Sequence, residues 1–139
     1  MDVKELVSFG IDDVGRQLRQ VLSGISPELQ DARVCDKGMS PCEMVEHLCE
    51  AYKAVVAESQ GLKHEWGSFK PEYSSWDGLM AAWADLRSQA REAALANLEA
   101  HPTAAHSYIV AHDAYHVGQL ALLRVQQDPD WNPYSIYQE

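Results

Sequence analysis

Basic residues are scarce in this chain. Eleven Lys and Arg stand against 21 Asp and Glu, a net charge of −10 at pH 7 with a pI of about 4.9. A phosphate backbone is repelled by such a surface, so no nucleic-acid partner is expected. An anionic lipid surface is disfavoured for the same reason. No run approaches the ~18 apolar residues of a spanning helix, so no membrane association is expected. Cysteine is sparse and odd in number. Cys35, Cys42 and Cys49 cannot all pair within one chain, and no secretory leader pattern precedes them. Three reduced thiols in a cytoplasmic protein are the expectation. Their spacing of seven invites a metal reading, but C-x-x-C is absent and only Cys42 and Cys49 fall in a predicted helix. Strand-like alternation, internal repeats and low-complexity tracts are also missing.

What is present is enough for one folded domain. The chain has 139 residues, of which 46% are hydrophobic, and that length buries a single core without staples. Val3, Val7, Ile11, Val14, Leu18 and Val21 recur at three and four, the period of an amphipathic helix, which Ser23-Gly24 stops. The connection from Gly24 to Met39 is long for neighbouring helices and suggests a crossover or a lid. Within it Ser26-Pro27-Glu28 can start one short turn. Ser40-Pro41-Cys42-Glu43 is a clear helix start, with Ser40 as cap, Pro41 in the first position and Glu43 closing a capping box. That helix is expected to run to about Ser59 and to stop at Gln60-Gly61. Its apolar arc holds Met44, Leu48, Ala51 and Val55, with His47 at the edge, roughly 80° from the centre. Glu46 and Glu50 read as solvated charges.

Residues 61–73 form a polar loop carrying His64, Trp66, Phe69 and Tyr73. Ser74-Ser75-Trp76-Asp77 resembles a second capping box with Asp in the Glu position. Leu79, Trp83, Leu86, Ala90 and Ala94 mark a third helix ending near Ala100. Pro102 separates it from a fourth, which Asp128-Pro129-Asp130 ends. The aromatic tail Trp131–Tyr137 either folds back over a groove or docks on a second subunit. The result is an all-α chain, a four-helix bundle with a long crossover connection and a single domain over 1–139.

The chemistry sits on the fourth helix, at His112-Asp113-Ala114-Tyr115-His116-Val117-Gly118-Gln119. Two histidines four apart share a helix face and can hold one ion, and His47 is the candidate third ligand. An i,i+4 pair of histidines arises by chance in roughly a quarter of chains with this histidine content, so spacing alone is weak. Position adds weight. Ala105, Tyr108, His116, Gln119 and Leu123 fall within about 40° of His112 on an ideal helix, so both rings interrupt the inward stripe. Burying two imidazoles without partners costs roughly 1–3 kcal/mol each, and a metal removes that cost. The bland alternative is a pair of hydrogen-bonded core histidines. Around the pair, Gln119 is a candidate to hold a ligand or His116, and Tyr108 is a candidate proton donor. Asp113, some 100° away, is a less favoured acceptor for an imidazole N–H. His64, His101 and His106 are expected outside the site. His-Asp-x-x-His also approaches the zincin H-E-x-x-H pattern, but no third zincin ligand follows. The His-Asp phosphohydrolases need more ligands and a longer chain.

The string HDAYHVGQLALLR (112–124) resembles the signature helix of the DinB-like (YfiT-like) metalloenzyme family, and SPCEMVEHLCEAY (40–52) resembles that family's second helix. The order of the four predicted helices is similar too, so the resemblance spans nearly the whole chain. It implies a bundle with a long crossover and one divalent metal on His47, His112 and His116. It often implies a homodimer. It also implies zinc, nickel, iron or manganese as the ion, and reactions that use low-molecular-weight thiols: thiol transferases and thiol-dependent isomerases. The family's name refers to DNA damage, but the charge of this chain gives no support for DNA contact. Imidazole donors favour zinc or nickel over magnesium or calcium. Such an ion can bring the pKa of a bound water or thiol to about 7. Three functions follow as expectations. The first is a metal-dependent transferase or hydrolase acting on a small molecule. The second is a non-catalytic metal- or ligand-binding stress-response protein. The third is a purely structural dimer. Residues 61–75 are where substrate contacts are expected.

Overall fold

The computed structural model describes all residues 1–139 and is wholly helical. Helix α1 spans Val3–Leu22, the short α2 Pro27–Gln30, α3 Pro41–Ser59, α4 Trp76–Ala96 and α5 His112–Gln127. A π-helical segment, Ala104–Ala111, leads directly into α5, and a 3₁₀ turn at Pro133–Tyr137 ends the chain. Each start has a local cause. Asp2 accepts from Glu5 N–H and Glu5 returns the bond, a capping box at α1 that the apolar spacing did not reveal. Ser40 and Glu43 form the expected box at α3, with Pro41 in the first turn. At α4 the cap is Ser75, which accepts from Gly78 N–H. The third helical position is then a glycine, so no reciprocal side chain exists and the expected box is a single cap. Helix α4 also ends four residues before the expected Ala100. Asn97 closes it, folding its amide onto the Ala93 carbonyl.

The long helices pack around one core in which Ile11, Leu18, Leu48, Tyr52, Val55, Leu79, Trp83, Ile109 and Leu120 are almost fully buried. Helix α3 packs mainly on α4, and α1 packs on α5 and the π segment. The segment between α1 and α3 lays Ile25 and Leu29 on Leu123 of α5. The tail folds back on its own chain. Arg16 of α1 donates to the carbonyls of Ile136 and Gln138 at 2.8 Å each. Trp131 lies under the Arg124 guanidinium, 5.0 Å from ring centre to Cζ.

A buried polar network crosses this core. Asp113 is fully buried and accepts from Tyr52 Oη at 2.7 Å and from Arg87 Nη2 and Nε at 2.9 and 3.1 Å. Arg87 Nη2 also donates to the Ile11 carbonyl at 2.6 Å, and Trp83 Nε1 donates to Tyr52 Oη at 3.2 Å. The guanidinium passes over α1 at Gly15, where a Cβ would lie 2.5 Å from Nη1. A glycine inside a helix costs about 1 kcal/mol relative to alanine, and here it opens the space the arginine fills. Burial pushes Asp113 up to about 6, against the downward pull of Arg87 and the Tyr52 hydroxyl. The two bonds from the Arg87 guanidinium favour its carboxylate form.

Candidate metal centre

Two helices bring three imidazoles together. His47 lies on the second turn of α3, held in place by the capped start at Ser40. His112 and His116 open α5 one turn apart. His47 Nε2 is 3.0 Å from His112 Nε2, and His116 Nε2 is also 3.0 Å from His112 Nε2. One ligand nitrogen from each of the three lies within 4.8 Å of the others. Nitrogens each ~2.1 Å from one ion lie roughly 3.0–3.4 Å apart at octahedral to tetrahedral angles. Two of the three separations match that range, and the third is within 4.8 Å.

The hydrogen-bonding capacity of the rings supports this fit. In His112 the Tyr108 backbone carbonyl favours a proton on the ring edge away from the cluster. That leaves Nε2 with one in-plane lone pair, which cannot serve two N–H donors well. A cation accepting a lone pair from each Nε2 resolves the conflict and leaves each opposite nitrogen protonated. On His116 that nitrogen, Nδ1, is buried with no partner of good geometry, and so is Gln119 Oε1. The amide lies close enough to raise the His116 pKa. Gln119 also donates to Tyr115 Oη at 3.0 Å.

Burial and neighbouring rings disfavour the charged forms of His116 and His112. Burial, then the nearby His112 and His47, hold His116 down at about 4. Burial and His47 lower His112 as well. Neutral imidazole is the form that ligates a metal.

The candidates from sequence take different places. His47 and His112 are half-buried, so the cluster reaches the surface, while His116 is buried. The inward stripe of α5 is centred about one residue later than ideal spacing predicts: Asp113, His116, Val117, Leu120, Leu123 and Arg124 are buried, and His112 and Gln119 are at its edge. Asp113 bonds Tyr52 and Arg87 rather than an imidazole. Tyr108 is half-buried and supports His112 through its backbone. The π segment lies immediately before the first α5 ligand, and such wide turns are frequent at functional sites.

Some contributors escaped the sequence reading. Glu50, expected in solvent, is nearly buried and accepts from His64 Nε2 at 3.0 Å and Gly67 N–H at 2.6 Å. Burial raises the carboxyl, but the bonds from His64 and Gly67 outweigh it and leave the group below its ordinary range. Trp66, between the two donors, has its ring centre 6.2 Å from His47, 5.0 Å from His64 and 6.4 Å from Tyr108. Tyr115 stands edge-on to His116 at 5.1 Å. A cluster of aromatic and histidine residues in 61–73 was the available signal. The thiols are separate: Cys35, Cys42 and Cys49 are all unpaired, and burial pushes Cys49 up to about 12. Cys42 lies 3.2 Å from Tyr73 Oη, which also donates to Glu46. A cavity of about 1020 Å³ lies against α1, lined also by residues 95–100 and the π segment, and includes none of His47, His112 and His116.

Against known proteins, the chain matches no protein-family model, no curated protein and no solved structure.

Proposed function

We propose that this protein is a mononuclear metalloprotein whose His47, His112 and His116 hold one divalent ion through Nε2. The observation that carries the reading is the meeting of three Nε2 atoms around one lone pair of His112. The all-nitrogen donor set favours zinc or nickel, with iron or manganese as the next choices. The resemblance of 112–124 and 40–52 to the DinB-like (YfiT-like) family supports the same ligand set, a four-helix bundle with a long crossover connection, and a homodimer.

Within this reading the protein is a metal-dependent enzyme of the thiol-linked transferase or hydrolase type, acting on a small molecule in the cytoplasm. Three protein ligands leave positions open, and the half-burial of His47 and His112 gives access to them. A bound divalent ion supplies Lewis acidity and acidifies a water or thiol. The chain's own part is to hold His112 and His116 neutral by burial, to orient His112 through Tyr108, and to border the centre with aromatic rings. A second reading, a non-catalytic metal- or ligand-binding stress-response protein, draws support from a cavity of about 1020 Å³ that lies away from the three histidines.

Metal analysis of the purified protein tests the proposal. One equivalent in wild type and none in His116→Ala is the expected result. Wild type that takes up no divalent ion, or His116→Ala that retains it in full, rejects the assignment.

A further inference from the structure

Glu50 lies one turn beyond His47 on α3, and its carboxylate does a specific job. A single oxygen, Oε1, accepts from His64 Nε2 and from Gly67 N–H. The chain is therefore gripped two residues before Trp66 and one residue after it. Gly67 has φ +89°, a conformation open to glycine at little cost, and this turns the loop sharply enough to bring its N–H onto the carboxylate. Burying a carboxylate is costly unless it is well bonded. Here that cost holds in place an indole that is still 52% exposed. The ring packs edge-on against His64 and stands beside His47 and Tyr108. A free surface loop would not require this anchoring. A wall beside an open coordination position would.

We infer that Trp66 is the specificity wall of the three-histidine centre. A ligand whose donor atom occupies an open position there carries a flat apolar or aromatic group that lies against the indole. Glu50 is the positioning residue that holds the wall. This inference rests on the metal reading and deepens it by naming the shape of the ligand. Three neutral imidazoles leave the charge of a divalent ion uncompensated, so an anionic donor, such as a thiolate or hydroxamate, suits the centre. Stacking on one aromatic ring is then expected to favour an aromatic ligand over its methyl counterpart about fivefold.

The test uses cobalt(II)-loaded protein and two probes with the same donor group, benzohydroxamate and acetohydroxamate, titrated by the visible cobalt spectrum. Wild type is expected to bind the benzo probe about fivefold more tightly. Trp66→Ala is expected to bind cobalt one to one and to lose the preference. Glu50→Ala keeps the indole but releases the loop, and is expected to lose most of the preference with cobalt stoichiometry unchanged. Glu50→Gln restores an acceptor and is expected to recover part of it. Equal affinities in cobalt-loaded wild type, or a preference that survives Trp66→Ala, overturn the wall. A preference fully kept in Glu50→Ala overturns the clamp. Failure of wild type to bind cobalt overturns the metal reading, and this inference with it, and is recognised before any hydroxamate is added.

Discussion

Asp113 and His116 lie one turn apart on α5, both buried, and their polar atoms have different fates. Both Asp113 oxygens are engaged by Tyr52 and Arg87, and the protein completes that site from its own side chains. His116 Nε2 faces another imidazole nitrogen, and its Nδ1 lacks a well-formed partner. One cluster is closed, and the other could hold a metal ion. Buried polar groups in folded proteins are normally satisfied, so an incompletely satisfied cluster beside a fully satisfied one points to function in the former and architecture in the latter.

The contrast breaks most visibly at Arg87. Arg87→Ala strands the Asp113 carboxylate in the core, and a loss of about 3–5 kcal/mol is expected from urea unfolding. The Arg87→Ala/Asp113→Ala double variant is expected to cost less than the two single variants added. A loss below about 1 kcal/mol for the single variant would mean that the network does not support the core. The histidine cluster is expected to behave in the opposite way. Zinc at a thousandfold excess over its dissociation constant should raise wild-type stability by about 4 kcal/mol. The same zinc should leave His47→Ala unchanged, as followed by thermal unfolding. An equal rise in that variant would place the ion elsewhere.

Acid separates the two clusters further. The folded-state pKa of His116, about 4, lies below the ordinary 6.5. As pH falls, the unfolded chain takes up that proton first. The contribution of a neutral His116 is thus full above pH 6.5 and is lost as pH falls through 4, on the order of 3 kcal/mol for the metal-free protein. Metal should leave over the same interval, because protons compete for the lone pairs. Unfolding titrations of wild type and His116→Gln at pH 7 and pH 4.5 check this, and parallel curves would contradict it. The smallest effect is expected at the α3 cap. Ser40→Ala removes one bond to the Glu43 N–H and should cost about 1 kcal/mol. Metal affinity should weaken modestly as the turn carrying His47 frays, whereas the Asp113 network should keep its full contribution.

How much of this was legible depended on the range of the cause. Ser40, Pro41 and Glu43 announced α3 because capping is settled within four residues. His112 and His116 announced a shared face because four residues is about one helical turn. His47 was legible as a candidate from its place on a capped helix, and the family resemblance pointed to the same residue. The π segment was not legible: its wider turn shifts the phase of α5, so His112 moved to the edge and Asp113 moved inward. Glu50 read as solvated because nothing within its own helix reveals a loop 14 residues later folding onto it.

The chain's own pattern of caps, stops and apolar spacing settled that it is helical, about where each helix begins, and which two rings share a turn, because those are interactions between residues a few positions apart. Which carboxylates are buried, which arginine meets them, and whether His47 reaches the α5 pair were decided only when the helices packed. Those contacts join residues 14 to 76 positions apart, and their energies depend on the low-dielectric interior that packing creates.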